Sequence, residues 1–282
     1  DEFLNGQIST NDTICYNTNA NDILTTISPL GGNIPYSYEW SLFDSISSTW
    51  IVQSSGFNNN FSPGTLTSSS YFRVKFISNS GCGEYFSNSS YVHVLPKVSS
   101  PMIASNQTIC FDSLASELEM IIPPSGGNDF FEYSWQSSID SINWSLASGI
   151  FNDTVYFPGN MSNSTYYRLE VQSSDSSNCI SRYSDTILID VLDPLSAGQI
   201  SSNQSICFNS IPDSLFFILD PSGVDNSFIF QWQESFDNIN WLNISGALSS
   251  KYQPNQLTES KYFRVRVSSN FGCGVKFTSS VY

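Results

Sequence analysis

Aromatic and polar residues alternate over residues 36–41, with Tyr36, Tyr38 and Trp40 on one side of an extended chain and Ser37, Glu39 and Ser41 on the other. The alternation returns with Phe131, Tyr133 and Trp135 against Glu132, Ser134 and Gln136, and again with Phe230 and Trp232 against Gln231 and Gln233. A period of two predicts antiparallel strands with one core face and one wet face. A later segment predicts a second such strand. Its inner face carries Phe72, Val74 and Phe76, then Tyr167, Leu169 and Val171, then Phe263, Val265 and Val267. Its outer face carries Tyr71, Arg73 and Lys75, then Tyr166, Arg168 and Glu170, then Tyr262, Arg264 and Arg266. An Arg on such a face is expected to be solvated or paired with a nearby carboxylate. Turn signals at Pro29-Leu30-Gly31-Gly32, Pro124-Ser125-Gly126-Gly127 and Pro221-Ser222-Gly223 separate the strands. Helix-period patterns are absent, and the fold class read from the pattern is all-β.

These strands belong to a unit written three times. A Cys followed 25 residues later by a Trp recurs as Cys15 and Trp40, Cys110 and Trp135, and Cys207 and Trp232. Each unit then adds a second Trp (Trp50, Trp144, Trp241) and a second Cys (Cys82, Cys179, Cys273). The units are taken as residues 1–97, 98–194 and 195–282, the third truncated in its last strand. A unit of this length buries its own core, so three tandem sandwich domains are expected. Asp1-Glu2-Phe3-Leu4 aligns with the linker Asp193-Pro194-Leu195-Ser196. Val281-Tyr282 stands where the other units enter a last strand. Both ends are therefore expected to be cuts in a longer array.

Charge and cysteine usage narrow the setting. The net charge of -15, with only 10 Lys and Arg, makes nucleic acid or an anionic membrane surface an unfavourable partner. No run of 18 apolar residues occurs, so membrane insertion is not expected. Two regularly placed cysteines per unit are read as one disulfide in each repeat, formed in an oxidising compartment. The pairs would be Cys15 with Cys82, Cys110 with Cys179 and Cys207 with Cys273. Because each first Cys precedes the first long apolar strand and each second Cys follows the Tyr-x-Arg strand, the bond is expected at the rim of the sandwich. The Trp core would then be packed by aromatics alone.

Candidate chemistry is sparse. His93 is the one histidine and has no counterpart in the other units. The cysteines are assigned to disulfides, and no carboxylate pair recurs at core positions, so no catalytic residue is named and no enzyme is expected. Asp and Asn crowd the turns, which is calcium-ligand chemistry, but no Asp-x-Asp-x-Asp ladder exists. No cofactor is expected, and calcium is the one ion left open. Ser138-Ile139-Asp140-Ser141-Ile142-Asn143-Trp144 and Ser235-Phe236-Asp237-Asn238-Ile239-Asn240-Trp241 resemble the Asp-box hairpin, with Ile142 and Ile239 replacing its Gly. In that motif the Asp caps backbone amides of a turn.

A tripeptide of Asp, then Ser or Thr, then an aliphatic residue occurs seven times, placing hydroxyls at Thr13, Ser45, Ser113, Ser141, Thr154, Thr186 and Ser214. Composition alone predicts roughly one occurrence. The tripeptide resembles a protein O-glycosylation acceptor of Bacteroidota; the alternative is that Asp-Ser and Asp-Thr simply open turns. Asn-x-Ser/Thr sequons, such as those at Asn11, Asn106 and Asn203, number ten against roughly six expected.

The full unit is clearest in the third repeat, through Gln199, Cys207, Trp232, Asp237, Trp241, Gly246, Tyr252, Pro254, Leu257, Arg264 and Cys273. It is similar to the immunoglobulin-like repeats of very large Bacteroidota surface proteins, including SprB-type mobile adhesins of gliding bacteria. The resemblance implies three tandem immunoglobulin-like β-sandwich repeats, exported by a type IX secretion system to the extracellular face of the cell and attached to the outer membrane. It implies a stalk or spacer role in gliding motility or surface attachment, with polysaccharide binding by the repeats as the alternative. The implied partners are neighbouring repeats of the same long chain, gliding or secretion machinery elsewhere in the parent, and surface polysaccharide. Pro-containing linkers at 95–98 and 192–195 are too short to coil freely, so a semi-rigid array is expected.

Overall fold

The computed structural model describes residues 4, 6–81, 83–174 and 179–282. Each repeat folds as two facing sheets. In repeat 2 the smaller sheet holds Met102–Ile103, Leu118–Ile122 and Val155–Tyr156. The larger runs in the order Gln107–Cys110, Ile187–Leu192, Thr165–Ser173, Phe131–Ser138 and Ser145–Leu146. Arg182–Tyr183 adds to the same edge of Thr165–Ser173. The opening strand lies parallel to the closing strand, with Gln107 opposite Ile189 and Cys110 opposite Leu192, while the other pairings are antiparallel. Repeat 1 has the same order, with Asp12–Ile14 parallel to Ser90–Val94. A three-stranded sheet facing a larger one in this order is an immunoglobulin-like sandwich, and the chain is all-β.

The alternation read from the sequence matches the faces. Trp40, Trp135 and Trp232 are buried, as are Phe72, Val74 and Phe76, Tyr167, Leu169 and Val171, and Phe263, Val265 and Val267. Each repeat has its own core cluster. These cores are not aromatic alone: Leu118, Ile187 and Ile189 surround Trp135 together with Tyr156 and Tyr167. Aliphatic side chains of the smaller sheet and the closing strand fill the space that an indole leaves open in a close-packed interior. Desolvation in this core, with nearby Tyr156 second, pushes the Tyr167 phenol up to about 12.

One strand separates the two ends of each repeat. Thr165–Ser173 is nine residues long and spans about 30 Å at roughly 3.3 Å per residue. Its first residue, Thr165, lies opposite Ile189 in the closing strand, which runs on to Leu192 beside Cys110. Its last, Ser173, lies opposite Phe131, and Val171 lies opposite Arg182, three residues beyond Cys179. Cys110 is therefore at the downstream end of its repeat and Cys179 at the upstream end.

Inter-repeat junctions and the outer-face stacks as candidate functional site

The junctions build up from those strand ends. Disulfides join Cys15 to Cys179 and Cys110 to Cys273, with Cα–Cα distances of 5.3 and 5.4 Å. Each bond links the first Cys of one repeat to the second Cys of the next. The within-repeat pairing expected from cysteine spacing is thereby corrected. A strand of about 30 Å holds the two cysteines of a repeat apart, and a disulfide closes only when the Cα atoms lie within about 7 Å. Cys207 is a free, exposed thiol, so its assignment to an internal disulfide is also corrected. Cys82 lies outside the described residues. The bonds do sit at the rims of the sandwiches.

The linker adds fixed points around each disulfide. Leu95 N donates to Ile14 O at 2.8 Å, Gly127 N to Pro96 O at 2.8 Å, and Ser99 N to Ser125 O at 2.9 Å. Arg182 Nε donates to Val98 O at 3.1 Å. Cys15, Leu95, Val98 and Cys179 form a small buried cluster with Phe131 against it. Gly126, at φ 91°, lies so close that a Cβ would run into the carbonyl oxygen of Lys97. The second junction repeats the plan. Val224 N donates to Asp193 O and Ser196 N to Ser222 O, both at 2.8 Å, and Gly223, at φ 92°, abuts Pro194 O. The Gly turns read as strand separators are thus also seats for the incoming linker. The missed signal was that the same Gly turn faces a Pro-containing linker in register.

On the outer face, one Arg of each repeat lies between two aromatic rings. Arg73 Cζ sits 4.1 Å from the centroid of Trp50 and 3.8 Å from that of Phe86. Arg168 lies 4.2 Å from Trp144 and 4.0 Å from Tyr183, and Arg264 lies 4.1 Å from both Trp241 and Phe277. The expectation of solvation or carboxylate pairing is corrected here. A guanidinium is weakly hydrated and planar, so it stacks well between rings. Arg168 Nε also donates to Gln136 Oε1, and Arg264 Nε to Gln233 Oε1, both at 2.8 Å.

The Asp-box hairpins lie at the edge of these stacks. Asp140 Oδ1 accepts from Ile142 N at 2.9 Å, Asn143 N at 2.8 Å and Ser138 Oγ at 2.8 Å, and Asn143 Nδ2 donates to Oδ2. Asp237 repeats the set. These bonds, led by the Asn143 and Asn240 amides, hold both carboxyls well below the usual carboxylate range. Asp44 caps the longer hairpin of repeat 1 through Ser47 and Ile46, which also lowers its carboxyl.

The hydroxyls of the seven tripeptides are spread along the chain rather than gathered into one site. Thr13, Ser45, Ser141 and Thr186 are exposed, while Ser113, Thr154 and Ser214 are half-buried. Asp12 Oδ1 and Asp153 Oδ1 accept the backbone N–H of Thr13 and Thr154, at 2.8 and 2.6 Å. Three sequon asparagines serve the sheet. Asn11, Asn106 and Asn203 each accept, through Oδ1, the N–H that starts a closing segment, from Tyr91, Leu188 and Tyr282. His93 Nδ1 lies 3.4 Å from both Ser69 Oγ and Tyr91 OH. Among the described residues no group of three or more His, Cys, Asp or Glu is placed to hold a metal ion. No helix among the described residues is long and apolar enough to cross a membrane.

Sandwich order and junction chemistry together define a tandem array of immunoglobulin-like repeats whose neighbours are cross-linked by disulfides. The chain belongs to the family described as a domain of unknown function, DUF8696, which matches residues 4–96, 99–193 and 196–282. No curated protein matches the chain. Among solved structures, it is similar to the three N-terminal domains of the bacteriophage RB49 highly immunogenic outer capsid protein Hoc. That match has 10% identity, covers 99% of this chain and 98% of that one, and has a TM-score of 0.43. Domains A168–A170 of titin match at 15% identity over 98% and 96% of the two chains, with a TM-score of 0.38. Sidekick-1 immunoglobulin domains 1–4 match at 10% identity over 99% and 72%, with a TM-score of 0.31. The fold assignment rests on the strand order itself.

Proposed function

We propose that this chain is a load-bearing spacer from an extracellular surface protein. The observation that carries the reading is the pair of disulfides from each first Cys to the second Cys of the following repeat. Under tension between Cys15 and Cys273, the shortest covalent route crosses to Cys179, runs back to Cys110 and crosses again. That route is roughly a quarter of the contour the reduced chain would offer. A repeat that unfolds under load therefore cannot pay out its full length. Disulfides of this kind form and persist in an oxidising, extracellular compartment.

On this reading, and on the resemblance of the repeat to those of Bacteroidota surface proteins, the parent is an adhesin exported by a type IX system, used in gliding or attachment. The exposed hydroxyls Thr13, Ser45, Ser141 and Thr186 are the positions open to glycan in such a protein. The test is single-molecule stretching of the 282-residue chain between its ends. The oxidised protein should stop at roughly a quarter of the reduced contour between Cys15 and Cys273, and addition of a reductant should release the remainder. Equal extension in the two states would sink the spacer reading.

A further inference from the structure

The two junctions follow one plan but are not equally built. At the first, Cys15 and Cys179 are each 4% exposed and form a buried cluster with Leu95 and Val98. At the second, the counterparts Cys110, Cys273 and Leu192 are all half-buried, and Leu195 alone is buried. Local sequence supplies the reason. Ile180 follows Cys179 and lines the small cleft beside the first disulfide together with Tyr16 and Pro96, whereas Gly274 follows Cys273 and offers no side chain for cover. Arg182 Nε also ties the first linker at Val98 O, and its counterpart at the second junction, Lys276, lacks that donor.

The second junction also holds a strained residue. Gly127, at φ 61°, receives the first linker by donating to Pro96 O, and a Cβ there would run into Ser173 Oγ. That hydroxyl in turn donates to Asn128 Oδ1 at 2.8 Å. In repeat 3 the glycine is replaced by Val224, which keeps the left-handed backbone at φ 53° and the bond to the linker at Asp193 O. A β-branched residue rarely adopts that conformation, and it persists only where neighbouring contacts hold it. The counterpart of Ser173, Ser269, is buried, and its Oγ has no hydrogen-bond partner among the described residues. Letting go of Asp193 O frees Val224 to relax, so here the linker bond and the backbone strain are released together.

We propose that the second junction is a redox-gated joint. A dithiol reductant opens Cys110–Cys273 ahead of Cys15–Cys179, and repeat 3 then comes loose from repeat 2 while repeats 1 and 2 stay docked. A thiolate of the reductant attacks one sulfur of the more accessible disulfide and expels the other cysteine as a thiolate, which takes up a proton. The second thiol of the reductant then displaces the first cysteine. The two cysteines thereby gain two electrons and two protons, and the dithiol leaves as a cyclic disulfide. Access to sulfur sets the order, because exchange needs a direct approach to one of the two bonded atoms. This inference stands on the contrast between the junctions and does not require the spacer reading.

The test is timed reduction of the native 282-residue chain by dithiothreitol, with new thiols trapped by N-ethylmaleimide and located by peptide mapping. Cys110 and Cys273 should label about tenfold faster than Cys15 and Cys179, as expected where access limits exchange. Equal rates, or the opposite order, would overturn the proposal. Ile180→Gly should bring the first disulfide towards the rate of the second, and an unchanged rate counts against the cover. Amide exchange reads the release itself. Once Cys110–Cys273 is cut, Ser196 and Val224 should exchange about tenfold faster than in the oxidised chain, while Ser99 and Gly127 keep their rates. Val224→Gly removes the strain and should return the reduced junction most of the way to the oxidised rate; no recovery counts against the strain. Slow exchange at Ser196 and Val224 after the bond is cut would show that the joint stays closed, which the proposal does not survive.

Discussion

Trp135 and Trp144 stand on the two sides of one hairpin, and their surroundings differ in kind. Trp135 is fully buried in the core of repeat 2, its Nε1 donates to Asp153 O at 2.9 Å, and its ring stacks on Tyr156 with centroids 5.9 Å apart. Trp144 is half-buried on the outer face, where it forms one wall of the Arg168 stack opposite Tyr183. The first acts through the area it removes from water and the volume it fills. The second acts through a cation held between π faces, with water along one edge. Both recur in all three repeats, so periodicity in the sequence does not distinguish a core residue from a surface brace.

The largest effect that separates the two sides is truncation of each Trp. Trp135→Ala should destabilise repeat 2 by about 3–5 kcal/mol, the range for an aromatic removed from a packed interior. Trp144→Ala should cost less than half of that. Chemical denaturation followed by amide exchange within residues 98–194 reads both numbers for this repeat alone. Equal losses would mean that the outer stack is as important to folding as the core.

The next effect isolates the cation. Arg168 stacks on two rings and donates from Nε to Gln136 Oε1, while Gln136 Nε2 donates to Glu170 Oε2 and Tyr183 OH donates to Glu170 Oε1. Removing the guanidinium strips both rings of their partner and breaks this chain of hydrogen bonds at its head. Arg168→Ala should cost about 2 kcal/mol. Arg168→Lys should recover only part of it, because an ammonium keeps the charge and loses the flat stack. A Lys variant as stable as the parent would show that charge alone matters there.

The inner faces were legible because alternation depends only on local sequence: Trp40, Val74, Leu169 and Val265 could be placed in the core from the period of two. The outer stack was half legible. Arg73, Arg168 and Arg264 could be put on the wet face, and their second walls, Phe86, Tyr183 and Phe277, each stand four residues after the second cysteine, but that spacing does not show that they fold back against the Arg strand. The cysteine pairing was not legible from spacing. In a chain with a period near a hundred residues, pairing within a repeat and pairing with the next repeat are equally regular. What decides is the end of the sandwich at which each cysteine emerges, and that depends on the register of the closing strand against the Arg strand.

Repeat 1 supplies the finest test of the outer face, because it lacks one part of the device. Where Gln136 and Gln233 lie opposite Arg168 and Arg264, Ser41 lies opposite Arg73. The serine hydroxyl is too short to reach the guanidinium, and Arg73 Nε is buried with no hydrogen-bond partner among the described residues. Desolvation lowers the Arg73 pKa from its ordinary value. The stack on Trp50 and Phe86 holds the cation nonetheless. Ser41→Gln should supply the missing acceptor and stabilise repeat 1 by about 1.5 kcal/mol, the lower part of the range for a hydrogen bond to a charged group. In a thermal melt resolved by repeat, that is a rise of several degrees for residues 1–97 and none for the other two. An unchanged midpoint would show that the rings satisfy Arg73 by themselves, and that the Gln in repeats 2 and 3 orients the guanidinium without stabilising the fold.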